Sequence, residues 1–351
     1  MNALTHEQAK KYFTIELCQK FKNVARKTLE INSKGNQTVN IDKLRKILND
    51  DKLQMILFAE YMQAVTAYTG GMYGAIISTD LGDIRSNTRL DIIAKSMKVD
   101  GSKEANRLYD FYKNKIGYDY INASGVPKSD KDVTIDNLKK YNFILSKMVS
   151  ETGYDESLGM QTTKAFEPAD PKYGLSAGYA DKQVKRSKQY LFRGIKDLDP
   201  KIFLSLVQPG KKNNIGKFAS FSTDPQIAAS YATPSTGSPN PFGIFFTVFN
   251  PNQKGQDVDT ISVWQGEKEI ITGGMIVNDG GPVEFAHNAV LLHAGDPQGQ
   301  ADQIKLGQNV QRKSYANMIK YVEEIVNAYI ANPKLLMNQP PVIARISCTL
   351  L

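Results

Sequence analysis

Gly266-Glu267-Lys268-Glu269-Ile270-Ile271 is the stretch on which the reading of the chain turns. Two carboxylates one residue apart run into an Ile-Ile pair, which reads as the start of a strand. Side chains on a strand alternate between faces. The period therefore predicts Glu267 and Glu269 on one face and Lys268 on the other, with Lys268 tolerant of change. Like charges on one face repel, and a solvated strand edge carries them at little cost. The sharper reading is a pair of carboxylates aimed into one cleft, and the flanking sequence has to decide between the two.

Upstream of this stretch lies a polar loop, Gln253 to Gln265, with the only tryptophan, Trp264. Its indole suits target recognition and a core anchor equally. Further back stands Phe218-Ala219-Ser220-Phe221-Ser222-Thr223-Asp224-Pro225, running into Ile227-Ala228-Ala229-Ser230-Tyr231-Ala232. Asp-Pro is a favourable N-cap and first-turn pair, so a helix is expected over 224–232. Ser220 and Ser222 share a strand face, where hydroxyls can hydrogen-bond a ligand or orient a carboxylate. Alone, such a Ser-x-Ser is ordinary strand sequence. Earlier still, Tyr190-Leu191-Phe192-Arg193-Gly194 ends an apolar run with a guanidinium suited to bidentate phosphate binding. The glycine after it permits close approach of backbone or ligand.

These segments belong to a β-rich half. Strands are predicted at 189–192, 217–222, 243–249, 267–277, 289–293 and 342–349, punctuated by Gly, Pro and Asn. A second helix is predicted over 314–330. The polar run 151–182, rich in Gly, Pro and Asp, reads as a linker. Before it the pattern is helical over 5–31, 41–68, 87–116 and 136–149, with a loop at 32–38 and a glycine break at 70–74. Thr5 with Gln8 forms a capping-box pattern. The expected organisation is an α-helical region over 1–150, without visible chemistry, followed by a β-rich domain over 151–351.

Bulk properties narrow the function classes. The chain has 351 residues, enough for two domains, and a formal net charge of +8. That charge favours anionic ligands and allows nucleic acid as a partner, but it is spread in short doublets such as Lys139-Lys140, and no block resembles a nucleic-acid tail. Two cysteines at opposite ends and three histidines without ligand spacing argue against a disulfide framework or a metal site. The N-terminus lacks an apolar signal core, and the most apolar run, 53–65, is short for a bilayer and interrupted by Glu60. A soluble protein without a cleaved signal peptide or membrane span is expected.

In order along the chain, an Arg-Gly strand end, F-x-S-x-S with an Asp-Pro helix carrying Ala228 and an aromatic, Tyr231, at fixed offsets, and E-x-E-I-I resemble the R-S-E class of mono-ADP-ribosyltransferases. Bacterial toxins, vertebrate ecto-enzymes and phage-borne transferases make up that family, and the resemblance spans about 185–280. It implies an α+β chain whose catalytic domain has two packed sheets and an NAD cleft. It implies that Arg193 grips the phosphate and ribose side of NAD and that backbone groups of Gly194 hold the nicotinamide amide. Ser220 would orient Glu269, the catalytic glutamate, with Ser222 in the same NAD-binding motif. Glu267 would engage an acceptor arginine of a target protein, and Trp264 would sit in the loop presenting that target. Phe242 is the candidate ring against nicotinamide. Phe221 replaces the motif's middle Thr, and a register placing the motif at Ser222-Thr223 remains open. The family setting is a toxin or effector delivered to a host cytoplasm, or a phage enzyme. An NAD glycohydrolase and a non-catalytic basic binding module are the competing readings.

Overall fold

The computed structural model describes residues 3–31, 37–81, 107–108, 110–118, 134–150, 158, 160–167, 178–235, 238–259, 261–262, 266–279, 283–287, 310–313, 324, 327, 331 and 342–351. The expected strand at 289–293 lies outside these residues, as do Trp264, residues 87–106 and 109 of the helix expected at 87–116, and all but 324 and 327 of that expected at 314–330; Phe111–Ile116 is a π-helical segment. The chain divides into two compact units, Met1–Glu151 with Gln256–Gly266, and Thr152–Gly255 with Glu267–Leu351.

In the first unit, the expected helix at 5–31 is two helices, α1 (His6–Tyr12) and α2 (Ile15–Thr28). Thr5 and Gln8 form the capping box, and Thr14 caps α2 by accepting from the Leu17 amide at 3.2 Å. A hydroxyl that satisfies the orphan amides of one helix marks the end of the one before it. Short strands β1 (Leu29–Ile31), where the expected helix ends, and β2 (Gln37–Val39), where the expected loop ends, pair antiparallel. The helix expected at 41–68 is also divided, into α3 (Ile41–Ile47) and α4 (Lys52–Ala67). Asn49 and Asp50 both take a left-handed φ of 52°, a conformation that short polar side chains tolerate. The Gly70-Gly71 run does not stop the chain's helical course. It lies in a π-helical turn, Tyr68–Met72, leading into α5 (Tyr73–Leu81). Tyr68, Met72 and Ile76 around the glycines are buried, and that burial outweighs the entropic cost of glycine.

Helix α6 (Ile135–Val149) packs against α1, α4 and α5. Its Lys140 pairs with Glu60 of α4 at 2.8 Å, both side chains fully buried. Glu60 Oε1 also accepts from the Leu4 amide at 2.7 Å and from the Tyr118 hydroxyl. The Lys139-Lys140 doublet is thus not simply a solvated face, and the charge interrupting 53–65 is a core junction.

In the second unit, the polar run read as a linker contains an antiparallel ribbon, β3 (Met160–Glu167) with β4 (Gly178–Lys185). Strands β5 (Tyr190–Leu198), β6 (Lys212–Ser222), β7 (Phe242–Phe249), β9 (Glu269–Asn278), β10 (Val283–His287), β11 (Val310–Lys313) and β12 (Val342–Leu350) form one sheet in the order β11-β10-β12-β7-β5-β6-β9. A further β12–β9 pairing closes it on itself. Within this sheet β12, β7, β5, β6 and β9 form the closed ring, while β3–β4 stays a separate ribbon. Among the described pairings of this sheet with a stated register, β12 with β7 is parallel and the others are antiparallel. (β8, Gln256–Asp257, belongs to the first unit.)

Alternation along these strands separates two apolar clusters. Leu191, Ala219, Phe221, Ile244, Phe246, Ile270 and Ile346 share the larger core with α7 (Pro200–Leu206). Phe192, Phe245 and Ile343 form the other, against Ala228, Ala229 and Ala232 of α8 (Pro225–Ala232). Two glycines let α8 sit directly on the strands. A Cβ on Gly194 would stand 2.0 Å from the Ala228 carbonyl oxygen, and one on Gly243 would stand 1.9 Å from that of Ala232.

Two stability measurements follow. Gly243→Ala should cost roughly 1–3 kcal/mol by overpacking in denaturant unfolding, and unaltered stability would contradict the close approach of α8. Lys140→Met should cost roughly 3–5 kcal/mol, because it strands a buried carboxylate.

Candidate active site

The site is built where β6 ends, α8 begins and the chain turns into β9. In the β6–β9 ladder, Ser220 faces Ile271 and Ser222 faces Glu269. Ser220 and Glu269 are thus diagonal neighbours on one face of the sheet. The Ser220 hydroxyl donates to Glu269 Oε1 at 2.6 Å, and Glu269 is only 6% exposed. A short bond from a hydroxyl to a carboxylate is of the stronger, charge-assisted kind and fixes the carboxylate's orientation.

Arg193 joins this pair through the backbone. Strands β5 and β6 pair at Phe192 and Ser222 alone. Beyond that point Arg193 Nη1 donates to the Ser220 carbonyl at 2.5 Å, and its guanidinium carbon lies 5.6 Å from the Phe221 ring centroid. Leu191 belongs to the larger core and Phe192 to the α8 cluster, so alternation sends Arg193 with Leu191. Arg193 and the Ser220–Glu269 pair meet at one strand from opposite faces. Gly194 has a packing explanation, since α8 occupies the space a side chain would need.

The two glutamates are not arranged as the pleat predicts. β9 begins at Glu269, and Glu267 lies in the turn before it. Gly266 has φ of 91° and Lys268 φ of 53°, so strand alternation does not extend through this segment. A left-handed conformation costs a non-glycine residue about 1–2 kcal/mol, so the surroundings must hold it. The Ser222 hydroxyl donates to the Glu267 carbonyl at 2.7 Å, and the Thr223 amide donates to the Lys268 carbonyl at 3.1 Å. Lys268 Nζ pairs with Asp224 Oδ2 at 2.7 Å, with the Asp224 side chain only 4% exposed. Lys268 is therefore a clamp on the turn, contrary to its expected tolerance of change.

The same Asp224 caps α8, its Oδ1 accepting from the Gln226 amide at 2.9 Å. Ser222 is 5% exposed, and besides holding Glu267 it accepts from the Asp224 amide at 2.9 Å. These bonds occupy Ser222 in shaping the turn, while the carboxylate of Glu269 falls to Ser220.

Glu267 has a partner that sequence reasoning missed. Tyr231 of α8 donates its hydroxyl to Glu267 Oε1 at 2.5 Å. The signal available was the fixed offset of an aromatic after Asp-Pro, seen as a motif feature without a partner. Burial, followed by the bond to Glu267, raises the Tyr231 phenol above its ordinary range. Phe242 is not brought to this group. It is fully buried in the larger core, its ring 5.1 Å from that of Phe203. Among the described residues, no cluster of three or more His, Cys, Asp or Glu could hold a metal, and no helix is long and apolar enough to cross a membrane.

No family model matches the chain, and no curated protein does. Among the solved structures that resemble it, two are similar at low identity over most of the chain. Exoenzyme S from Pseudomonas aeruginosa, in complex with human 14-3-3 protein beta and bound to carba-NAD, is 14% identical with a TM-score of 0.27, over 83% of this chain and 86% of that one. The ADP-ribosyltransferase HopU1 of Pseudomonas syringae pv. tomato DC3000 is 12% identical with a TM-score of 0.31, over 97% and 99%. At these scores the functional reading rests on the chain's own residues.

The double duty of Asp224 yields a stability test. Asp224→Ala should cost roughly 0.5–2 kcal/mol from the cap alone. Asp224→Asn keeps the cap and loses the charge, so it should cost less than Asp224→Ala in thermal unfolding. Native stability in Asp224→Ala would contradict both roles.

Proposed function

We propose that this chain transfers ADP-ribose from NAD to an arginine side chain of a target protein, releasing nicotinamide. The observation that carries the proposal is the Ser220–Glu269 hydrogen bond, which joins two motifs 49 residues apart. It also favours Ser220 over Ser222 as the motif serine, because the Ser222 hydroxyl is engaged with the turn.

The donor set suits a ribosyl substrate. Glu269 is a nearly buried carboxylate held by a hydroxyl, with a guanidinium bonded to the same strand. NAD, when bound, supplies a ribosyl carbon whose bond to nicotinamide breaks, the electron pair leaving on the nicotinamide nitrogen. Glu269 would present a fixed negative charge that favours positive charge on the sugar, an electrostatic contribution that needs no reorganisation during reaction. Because β5 and β6 part beyond Phe192 and Ser222, Arg193 would reach the phosphate side through that gap, from the other face of β6. Glu267 would receive a guanidinium proton from the acceptor as that nitrogen bonds to the ribosyl carbon, and a carboxylate pairs naturally with guanidinium. The setting that goes with this reading is an effector or phage enzyme acting in a host cytoplasm, with Trp264 as a target-recognition residue.

Incubation with labelled NAD, agmatine as a free guanidinium acceptor and a host lysate tests the proposal. Labelled agmatine and labelled protein are expected. Free ADP-ribose alone would indicate a glycohydrolase, and the absence of both products from folded protein would contradict any NAD-cleaving role. Glu269→Ala should lower nicotinamide release roughly 100- to 1,000-fold. Glu267→Gln should lower arginine transfer roughly 100- to 10,000-fold and lose far less NAD hydrolysis. Arg193→Ala should weaken NAD binding about tenfold in titration calorimetry, and an unaltered affinity would remove Arg193 from the site.

A further inference from the structure

We propose that Tyr231 is a positioning residue for acceptor transfer, its hydroxyl holding the Glu267 carboxylate in the orientation that receives the acceptor's proton. This rests on the transferase reading above and adds to it a residue on a different element from either glutamate.

The argument begins with what fixes the two partners. Glu267 sits in a turn, outside any strand ladder, so neighbouring strands do not set its side chain. A proton acceptor works only within hydrogen-bond reach of its donor, and a loosely held carboxylate loses that geometry. Tyr231 supplies what the backbone does not, a hydrogen bond of 2.5 Å to Oε1. The phenol keeps its proton well past neutrality, since burial and the adjacent Glu267 raise its titration, so it remains a donor.

Tyr231 is itself firmly placed. It stands between Ala228, Ala229 and Ala232, which pack on Phe192 and Phe245, and Gly194 lets the helix backbone approach without a gap. Asp224 anchors the other end of α8 to Lys268, the neighbour of Glu267. Tyr231 lies seven positions on from Asp224, about 10 Å along the helix axis. Two adjacent turn residues are thus held by opposite ends of one short helix. Core packing alone does not account for Tyr231, because the residue is 46% exposed. An aromatic there gains little from burial, whereas its hydroxyl meets a carboxylate.

The test compares Tyr231→Phe with the unsubstituted protein, measuring transfer to agmatine and NAD hydrolysis in the same reaction. The phenylalanine keeps the ring and removes only the donor. The ratio of transfer to hydrolysis should fall about tenfold, the usual worth of one hydrogen bond to a charged group. The loss should appear in kcat/KM for agmatine and not in KM for NAD, a split that a general loosening of α8 would not produce. In a Glu267→Gln background the same substitution should have no further effect on the ratio. An undiminished ratio in Tyr231→Phe, with the unsubstituted protein transferring, would overturn this role alone. Hydrolysis without any transfer by the unsubstituted protein would overturn the arginine reading, and this role with it.

Discussion

The hydroxyl of Ser220 and the carboxylate of Glu269 meet at 2.6 Å across two antiparallel strands, and much of the second unit is arranged so that they can. The contact requires β6 and β9 in one register. A slip of one residue would turn Ser220 and Glu269 inward and push Phe221 and Ile270 out. Those two apolar side chains, with Ala219 between the serine and Phe218, lie in the larger core. Packing on one face therefore holds the chemistry on the other. The Ser220 carbonyl accepts from Arg193, so the same residue ties the first motif to the third through its two oxygens.

The middle motif contributes both chemistry and mechanics. Ser222, Thr223 and Asp224 each bond to the turn that carries Glu267 and Lys268. They continue into α8, whose small residues settle on Gly194 and Gly243. The Arg-Gly pair acquires a divided explanation. Arginine reaches the Ser220 carbonyl from the core side, and glycine admits the helix from the other. Mechanical stiffness of the turn matters because the backbone there adopts positive φ at a lysine, a conformation that unaided chain does not favour.

Much of this was legible in the sequence. Short apolar runs bounded by turn residues located β5, β6, β7, β9 and β12, and Asp-Pro located the start of α8. Three features escaped. The turn at 266–268 was read as strand because Glu-Lys-Glu fits a period of two, and local pattern does not reveal a left-handed lysine held by distant groups. The ribbon β3–β4 was hidden because its polar residues give no alternation to detect. Glycines at 70–71 mislead for the opposite reason, since tertiary burial of Tyr68, Met72 and Ile76 decides the helix's course and propensity is a weak prior. The buried Glu60–Lys140 pair belongs here too, as two charges 80 residues apart announce a core junction only once the helices are packed. Tyr231 was visible as an aromatic at a fixed offset, but its partner depends on the turn.

Coupling between Ser220 and Glu269 is the central claim, and a double-mutant cycle measures it most directly. Nicotinamide release would be followed for Ser220→Ala, Glu269→Asp and the double variant, Asp being chosen to retain measurable turnover. The account predicts that Ser220→Ala slows the native protein about tenfold, the scale of a lost hydrogen bond to a carboxylate, and slows the Glu269→Asp protein much less. Equal losses in both backgrounds would show that the serine acts independently of Glu269, and would contradict the account.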